Sequence, residues 1–185
     1  MQTRQRKSIR LKDHDYTLPG GYYVTLVTLW RECLFGQVVG GEMQVNPLGK
    51  IAQECWEEIP SHFPQVDVDA FVIMPNHVHG IIIIHDKKIA DIGNVVGAQY
   101  IAPDPQRAQH AAPLQNVRPG SLGAIVRSFK SAVTRRAGRE LNIANIWQRT
   151  YYEHILRDQA DYERIAGYIL DNPSNWANDE ENPQG

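Results

Sequence analysis

Two histidines with one residue between them, His77 and His79, are the first feature of this sequence that could do chemistry. Along an extended strand side chains alternate with a period of two, so both imidazoles project from the same face. Two neutral imidazoles so placed can hold one divalent cation once a third ligand arrives from elsewhere in the chain. A second pair occurs near the C-terminus, where Tyr168 and Asn172 are four residues apart. On a helix that spacing puts both on one face, a turn from each other. An amide oxygen is an acceptable ligand for a hard cation such as Mg²⁺ or Mn²⁺, and a phenol one turn away would sit beside the ion. Each pair also has a plain structural reading. Histidines at a sheet edge bond to backbone, a tyrosine lies at a core boundary, and an asparagine ends a helix ahead of Pro173.

These side chains need rigid elements beneath them. Residues 66–74 read as a strand, Pro75-Asn76 as a tight turn, and residues 77–85 as the antiparallel partner strand that carries the histidines. The partner has isoleucine at alternating positions of both parities, so both its faces are expected to be buried and the strand central. Earlier in the chain, residues 22–29 read as a strand, and 33–39 with 42–45 as a hairpin about Gly40-Gly41. Asn46 and Pro47 then open a helix whose apolar positions Ile51, Cys55, Trp56 and Ile59 recur at helical spacing up to Pro60. Ser121 caps a helix with Leu122, Ile125, Val126, Phe129 and Val133 on one side. Residues 146–158 suggest a short strand or strands, and 161–172 the last helix, the one bearing Tyr168. This order does not alternate strictly enough for a parallel sheet and predicts an α+β fold, an antiparallel sheet with helices mainly on one face.

At 185 residues the chain suits one domain, here 1–178, with an irregular, proline-containing surface insertion at about 86–118 and an acidic tail over 179–185 expected to stay mobile. The longest apolar run, Ile81 to Ile84, is far short of a membrane span, and the charged N-terminus is no secretory signal, which predicts a cytoplasmic protein without a membrane partner. Cys33 and Cys55 lack the spacing of a zinc knuckle or a disulfide framework.

The net charge is only −2, but its distribution is uneven. Arg4, Arg6, Lys7, Arg10 and Lys12 form a basic arm, and the stretch from Arg118 to Arg139 contains no acid. Local basic surfaces of this kind can neutralise phosphates even on a weakly acidic protein. Arg127, Lys130 and Arg135, with Arg149 in an aromatic segment, are the candidate DNA-binding residues; a solvated helix face is the plain alternative. Tyr151 and Tyr152 could stack on bases.

Three ordered segments together resemble the REP-associated tyrosine transposases, within the HUH (His, hydrophobic, His) single-tyrosine transposases. They are Met74-Pro75-Asn76-His77-Val78-His79-Gly80, then Ile146-Trp147-Gln148-Arg149 through Tyr152-Glu153-His154-Ile155-Leu156-Arg157, then Tyr168-Ile169 to Asn172-Pro173. The opening from Arg10-Leu11-Lys12 through Tyr22-Tyr23-Val24-Thr25 to Arg31-Glu32-Cys33-Leu34-Phe35-Gly36 is similar to many members as well. The resemblance implies a ferredoxin-like fold with the histidines on a central strand, His77 and His79 as ligands of Mg²⁺ or Mn²⁺, and Tyr168 as nucleophile. Asn172 falls where related transposases place an amide ligand, usually Gln. The implied substrate is single-stranded, hairpin-containing DNA, nicked and rejoined through a 5′-phosphotyrosine link. Relatives include homodimers that exchange the tyrosine helix, so action within one chain or across two stays open. His154 is a candidate for activating the tyrosine or supporting a metal ligand, with a structural hydrogen bond as its alternative. Two rival functions remain at this point: a domesticated DNA-binding protein without catalysis, and a metallohydrolase, which would need further Asp and His ligands.

Overall fold

The computed structural model describes residues 14–86 and 118–183. In order the chain forms β1 (Gly20–Val27), a hairpin of β2 (Gly36–Val39) and β3 (Glu42–Val45), α1 (Pro47–Glu57) and a short α2 (Ile59–His62). Then come β4 (Val66–Ile73), β5 (His77–Ile84), α3 (Leu122–Leu141), β6 (Tyr152–Ile155) and α4 (Gln159–Asp171). The basic N-terminal arm and the insertion, apart from its two end residues, lie outside the described residues.

The main sheet has the order β4-β5-β1-β6, with every neighbouring pair antiparallel. It follows that β1 and β4 are parallel with β5 between them, and β5 and β6 are parallel with β1 between them. Two β-α-β crossovers, through α1 and α3, are thereby interleaved in one sheet, which is the ferredoxin-like arrangement. As expected, β5 is central and buried nearly throughout.

Capping chemistry sets where the helices start. Asn46 accepts from the Gly49 N–H ahead of α1, with Pro47 at the first helical position, and Ser121 accepts from the Ala124 N–H ahead of α3. Asp158 caps α4 through the Asp161 N–H at 2.8 Å, so that helix begins two residues earlier than its apolar periodicity suggested. The helix expected to run to Pro60 instead breaks after Glu57, and the strand expected from Cys33 starts only at Gly36.

Side-chain parity divides the sheet into two unequal faces. Tyr22, Val24 and Leu26 of β1 and Val78, Ile82 and Ile84 of β5 pack against Leu48, Ile51 and Trp56 of α1 and Ile125 and Phe129 of α3 in the main core. On the opposite face Tyr23 and Ile81 meet Ile165 and Ile169 of α4 in a smaller core. Helices α1 and α3 thus share one face, and α4 sits alone on the other, where the histidines project. Gly80 allows this strand to approach the main core closely: a Cβ there would lie 2.2 Å from a ring carbon of Trp56. A bulge in β4 between Val68 and Phe71 reverses the parity of that strand, turning Phe71 into the main core against Trp56 and placing Val72 opposite His79. No helix among the described residues is long and apolar enough to cross a membrane.

Candidate active site

Strand β5 brings His77 and His79 onto the α4 side of the sheet, almost fully buried, with ring centroids 4.3 Å apart. Their surroundings decide which nitrogen faces outward. The Asn76 side-chain NH₂ donates to the carbonyls of Arg31 (3.1 Å) and Glu181 (2.6 Å), which leaves its Oδ1 as the acceptor 2.8 Å from His77 Nδ1. The proton of His77 therefore resides on Nδ1 and the lone pair on Nε2. Nε2 is buried and has no hydrogen-bond partner among the described residues. For His79, Nδ1 lies 2.7 Å from the Tyr23 hydroxyl and 3.0 Å from Thr25 Oγ1, hydroxyls that can accept its proton and free Nε2 for a cation. The antiparallel register makes this possible, since Thr25 is directly opposite His79 and Tyr23 opposite Ile81. Burial pushes both imidazoles toward the neutral form that metals bind. Burial lowers His77 to about 4, although Asp179 and then the neighbouring Asn172 side chain pull it the other way, and His79 lies well below its ordinary value through burial and its neighbour His77.

Helix α4 supplies Tyr168 and Asn172 to the same place. The Tyr168 hydroxyl is 3.5 Å from His79 Nε2 and 3.4 Å from Asp179 Oδ2, while the residue is 47% exposed, so it is open to an incoming substrate. Burial and then the Asp179 carboxylate push its pKa up to about 12, so the resting residue is a phenol rather than a phenolate. Asn172 is buried; its Nδ2 donates to Asp179 Oδ2 at 2.9 Å, and its Oδ1 has no hydrogen-bond partner among the described residues. Imidazole nitrogens and an amide oxygen, two of them buried acceptors lacking any donor, are a set that a divalent cation fits.

Residues 179–183, the described part of the segment expected to form a mobile acidic tail, are instead folded against this site. Trp176 packs near the His77 ring, with centroids 6.0 Å apart. Glu181 is buried and pairs with Arg31 at 3.0 Å, and the Arg31 guanidinium also donates to the Glu180 carbonyl. The expectation failed because a run of acids reads as solvated, whereas here Arg31 and Asn76 meet it. Trp176, just ahead of the expected tail, was the available signal, since a large aromatic next to a segment suggests that the chain there packs.

His154 lies away from the metal-type cluster: its Nε2 is 2.7 Å from Asp161 Oδ2, a link between β6 and the first turn of α4. The two histidines are held instead by Asn76, Tyr23 and Thr25, which the sequence presented only as turn and strand residues. Three other tyrosines in the C-terminal part of the chain have contacts of their own. Tyr162 donates to Asp69 at 2.8 Å, Tyr151 lies beside Lys130, and Tyr152 packs 6.1 Å from the Tyr23 ring.

The basic helix is less uniform than its sequence. Arg136 pairs with Glu54 and Glu140, Arg139 with Glu140, and Arg118 with Asp15. Lys130 turns inward, where its ammonium donates to the carbonyls of Gln148 and Thr150 and burial lowers its pKa to about 8. Among the described residues Arg127, Arg135 and Arg149 have no ion-pair partner, and the two on α3 border a shallow surface depression with Ala124, Ser128 and Ser131 between them.

No family model matches the chain. It is 43% identical over 175 residues, spanning 95% of this chain and 92% of the other, to an uncharacterized protein of Haemophilus influenzae. Among solved structures it is similar to a REP-associated tyrosine transposase bound to a REP hairpin, with a TM-score of 0.54, 18% identity, and coverage of 95% of this chain and 74% of that one.

Proposed function

The chain belongs to one family with the Haemophilus influenzae protein, and from the fold it shares with a REP-associated tyrosine transposase we propose that it is a single-tyrosine DNA transposase. One observation carries the reading. A half-exposed tyrosine hydroxyl stands 3.5 Å from Nε2 of buried His79, beside a buried His77 whose Nε2 has no hydrogen-bond partner among the described residues. A core tyrosine would be covered, whereas a nucleophile must be reachable.

His77, His79 and Asn172 would hold Mg²⁺ or Mn²⁺, and such an ion would withdraw charge from a non-bridging oxygen of the scissile phosphate. Tyr168 Oη attacks phosphorus in line, the bond from phosphorus to the 3′ oxygen breaks, and that oxygen leaves as a 3′-hydroxyl after taking a proton. The phenolic proton must depart as the new O–P bond forms, because the resting group is protonated at neutral pH. The product is a 5′-phosphotyrosine link of similar energy to the diester it replaces. A second 3′-hydroxyl can then displace Tyr168 and rejoin the strand without ATP. Tyr168 reaches His79 within one chain, which supports cleavage in cis.

The structural neighbour is bound to a REP hairpin, and hairpin-containing single-stranded DNA is the substrate class proposed here. Arg127, Arg135 and Arg149 are the cations available for its phosphates, with Lys130 supporting the segment that carries Arg149. Labelled hairpin DNA incubated with the protein and Mn²⁺ should give a covalent adduct on denaturing electrophoresis, mapped by peptide mass spectrometry to Tyr168. Tyr168→Phe should abolish it and Tyr152→Phe retain it. An adduct on another tyrosine, or cleavage without any adduct, overturns the assignment.

A further inference from the structure

We propose that Asp179, from the folded-back C-terminal segment, is the anionic ligand that completes the metal site with His77 and His79. The proposal rests on the metal-binding reading above and adds to it a residue outside the histidine strand and the tyrosine helix.

Nitrogen atoms of His77 and His79 and a carboxylate oxygen of Asp179 all lie within 4.8 Å of one another. The hydrogen bonds around them explain why protein groups alone leave this cluster unbalanced. Asn76 Oδ1 accepts from the Nδ1–H of His77, so Nε2 presents only a lone pair, and it is buried without a hydrogen-bond partner among the described residues. Asn172 spends its NH₂ on Asp179 Oδ2, which orients its Oδ1 as a second buried acceptor without a partner. Asp179 Oδ1 is held by the Glu181 N–H at 2.7 Å. Acceptors converge here, and the donors recorded toward them among the described residues, the Asn172 amide, the Glu181 N–H and the Tyr168 hydroxyl, all reach the carboxylate, the last lying also 3.5 Å from His79 Nε2. None of them is recorded toward His77 Nε2 or Asn172 Oδ1. A cation is the group that satisfies such a set.

Charge gives the same answer. Two neutral imidazoles and an amide around a divalent ion would leave two positive charges in a buried setting. One carboxylate reduces this to one, which the single negative charge of a phosphodiester then cancels. Oxygen from Asp179 and Asn172 with nitrogen from the histidines is a donor mixture suited to a borderline-hard divalent ion. The segment is also anchored in a manner that a frayed terminus is not. Arg31 grips the Glu181 carboxylate and the Glu180 carbonyl, and the same Asn76 that orients His77 holds the Glu181 carbonyl. Asp179 lies two residues before this clamp, so Arg31 acts as a positioning residue for it.

The test is calorimetric titration of the full chain with MnCl₂ alone, without DNA, on wild type, Asp179→Asn, Asp179→Ala, Arg31→Ala and His77→Ala. Removing partners that merely orient a ligand costs roughly 10–100-fold in metal affinity, so loss of a direct anionic ligand should cost about 100-fold or more, and loss of the Arg31 clamp about 10-fold. Metal-free melting curves of the same proteins keep loss of fold distinct from loss of ligand. Folded Asp179 variants that bind Mn²⁺ like wild type while His77→Ala does not would overturn the proposal and leave the transposase reading standing. The same holds if they lose the DNA adduct at unchanged Mn²⁺ affinity, since Asp179 would then serve Tyr168 rather than the metal. Unchanged binding in His77→Ala as well would overturn the metal reading itself.

Discussion

Asn76 joins three parts of the site through one side chain, and its replacement should separate stability from metal binding. In Asn76→Ala three contacts vanish: the bonds to the carbonyls of Arg31 and Glu181 and the acceptor for His77 Nδ1. Asn76 is fully buried, so water does not readily replace these partners. At about 1–1.5 kcal/mol for each buried bond lost, the variant should be destabilised by roughly 3–4.5 kcal/mol. Freed from its acceptor, the His77 ring also loses its fixed tautomer, and Mn²⁺ affinity should fall about 10–100-fold, or about 1.4–2.7 kcal/mol. Asn76→Asp behaves differently in this account. A carboxylate still accepts from His77 Nδ1–H, so Mn²⁺ affinity should stay within a few-fold of wild type. Its other oxygen now faces two carbonyls, so stability should fall at least as far as in the alanine variant. Urea unfolding monitored by far-ultraviolet circular dichroism gives the first quantity, and calorimetric titration the second. If Asn76→Ala loses less than about 1 kcal/mol and binds Mn²⁺ normally, the hydrogen-bond chain from Arg31 to His77 neither stabilises the fold nor fixes the His77 tautomer.

Three other expectations can be checked on purified protein. Gly80→Ala drives a methyl group into the Trp56 ring and should cost about 1–3 kcal/mol, lowering Tm by about 2–12 °C for a chain of this size, without changing the charges at the site. The folded-state pKa values of His77 and His79 lie below the unfolded value near 6.5. The unfolded chain therefore takes up more protons on acidification, and stability present above that value should be lost as pH falls toward about 4, where His77 titrates. His77→Gln should flatten this part of the urea-midpoint profile, and an unchanged profile would contradict the assigned burial. Finally, Arg127→Ala with Arg135→Ala should reduce the slope of log affinity for single-stranded hairpin DNA against log salt by roughly 1.4. By contrast Lys130→Ala should first lower stability, because its ammonium ties α3 to the carbonyls of Gln148 and Thr150.

Much of the framework was legible because it depends on local periodicity. Isoleucines of both parities marked β5 as central, and the apolar stripe of Ile125, Val126, Phe129 and Val133 together with the Ser121 cap marked α3. The spacing of two between His77 and His79 and of four between Tyr168 and Asn172 fixed which side chains share a face before any contact was known. In β4 only the strand itself was legible and not which residues take which face, because the bulge at Val68/Phe71 exchanges the two faces and is set by what the neighbouring strand and Trp56 require rather than by residue type.

The sequence by itself determined the element types, the antiparallel α+β class and the pair of same-face motifs, since each follows from spacing along one strand or one turn of helix. Only the tertiary structure decided that those two motifs meet, with Tyr168 3.5 Å from His79 across a separation of 89 residues. It alone assigned the support of the histidines to Asn76, Tyr23 and Thr25 rather than to His154, because strand register pairs residues distant in the chain. It also turned an apparently solvated acidic tail into part of the site, where Arg31 and Asn76 bind Glu181 and so hold Asp179 beside the histidines. The physical reason is the same in each case. Backbone periodicity is a property of neighbours in sequence, whereas the partner of a buried polar group is chosen by whatever donor or charge the fold brings within hydrogen-bond reach.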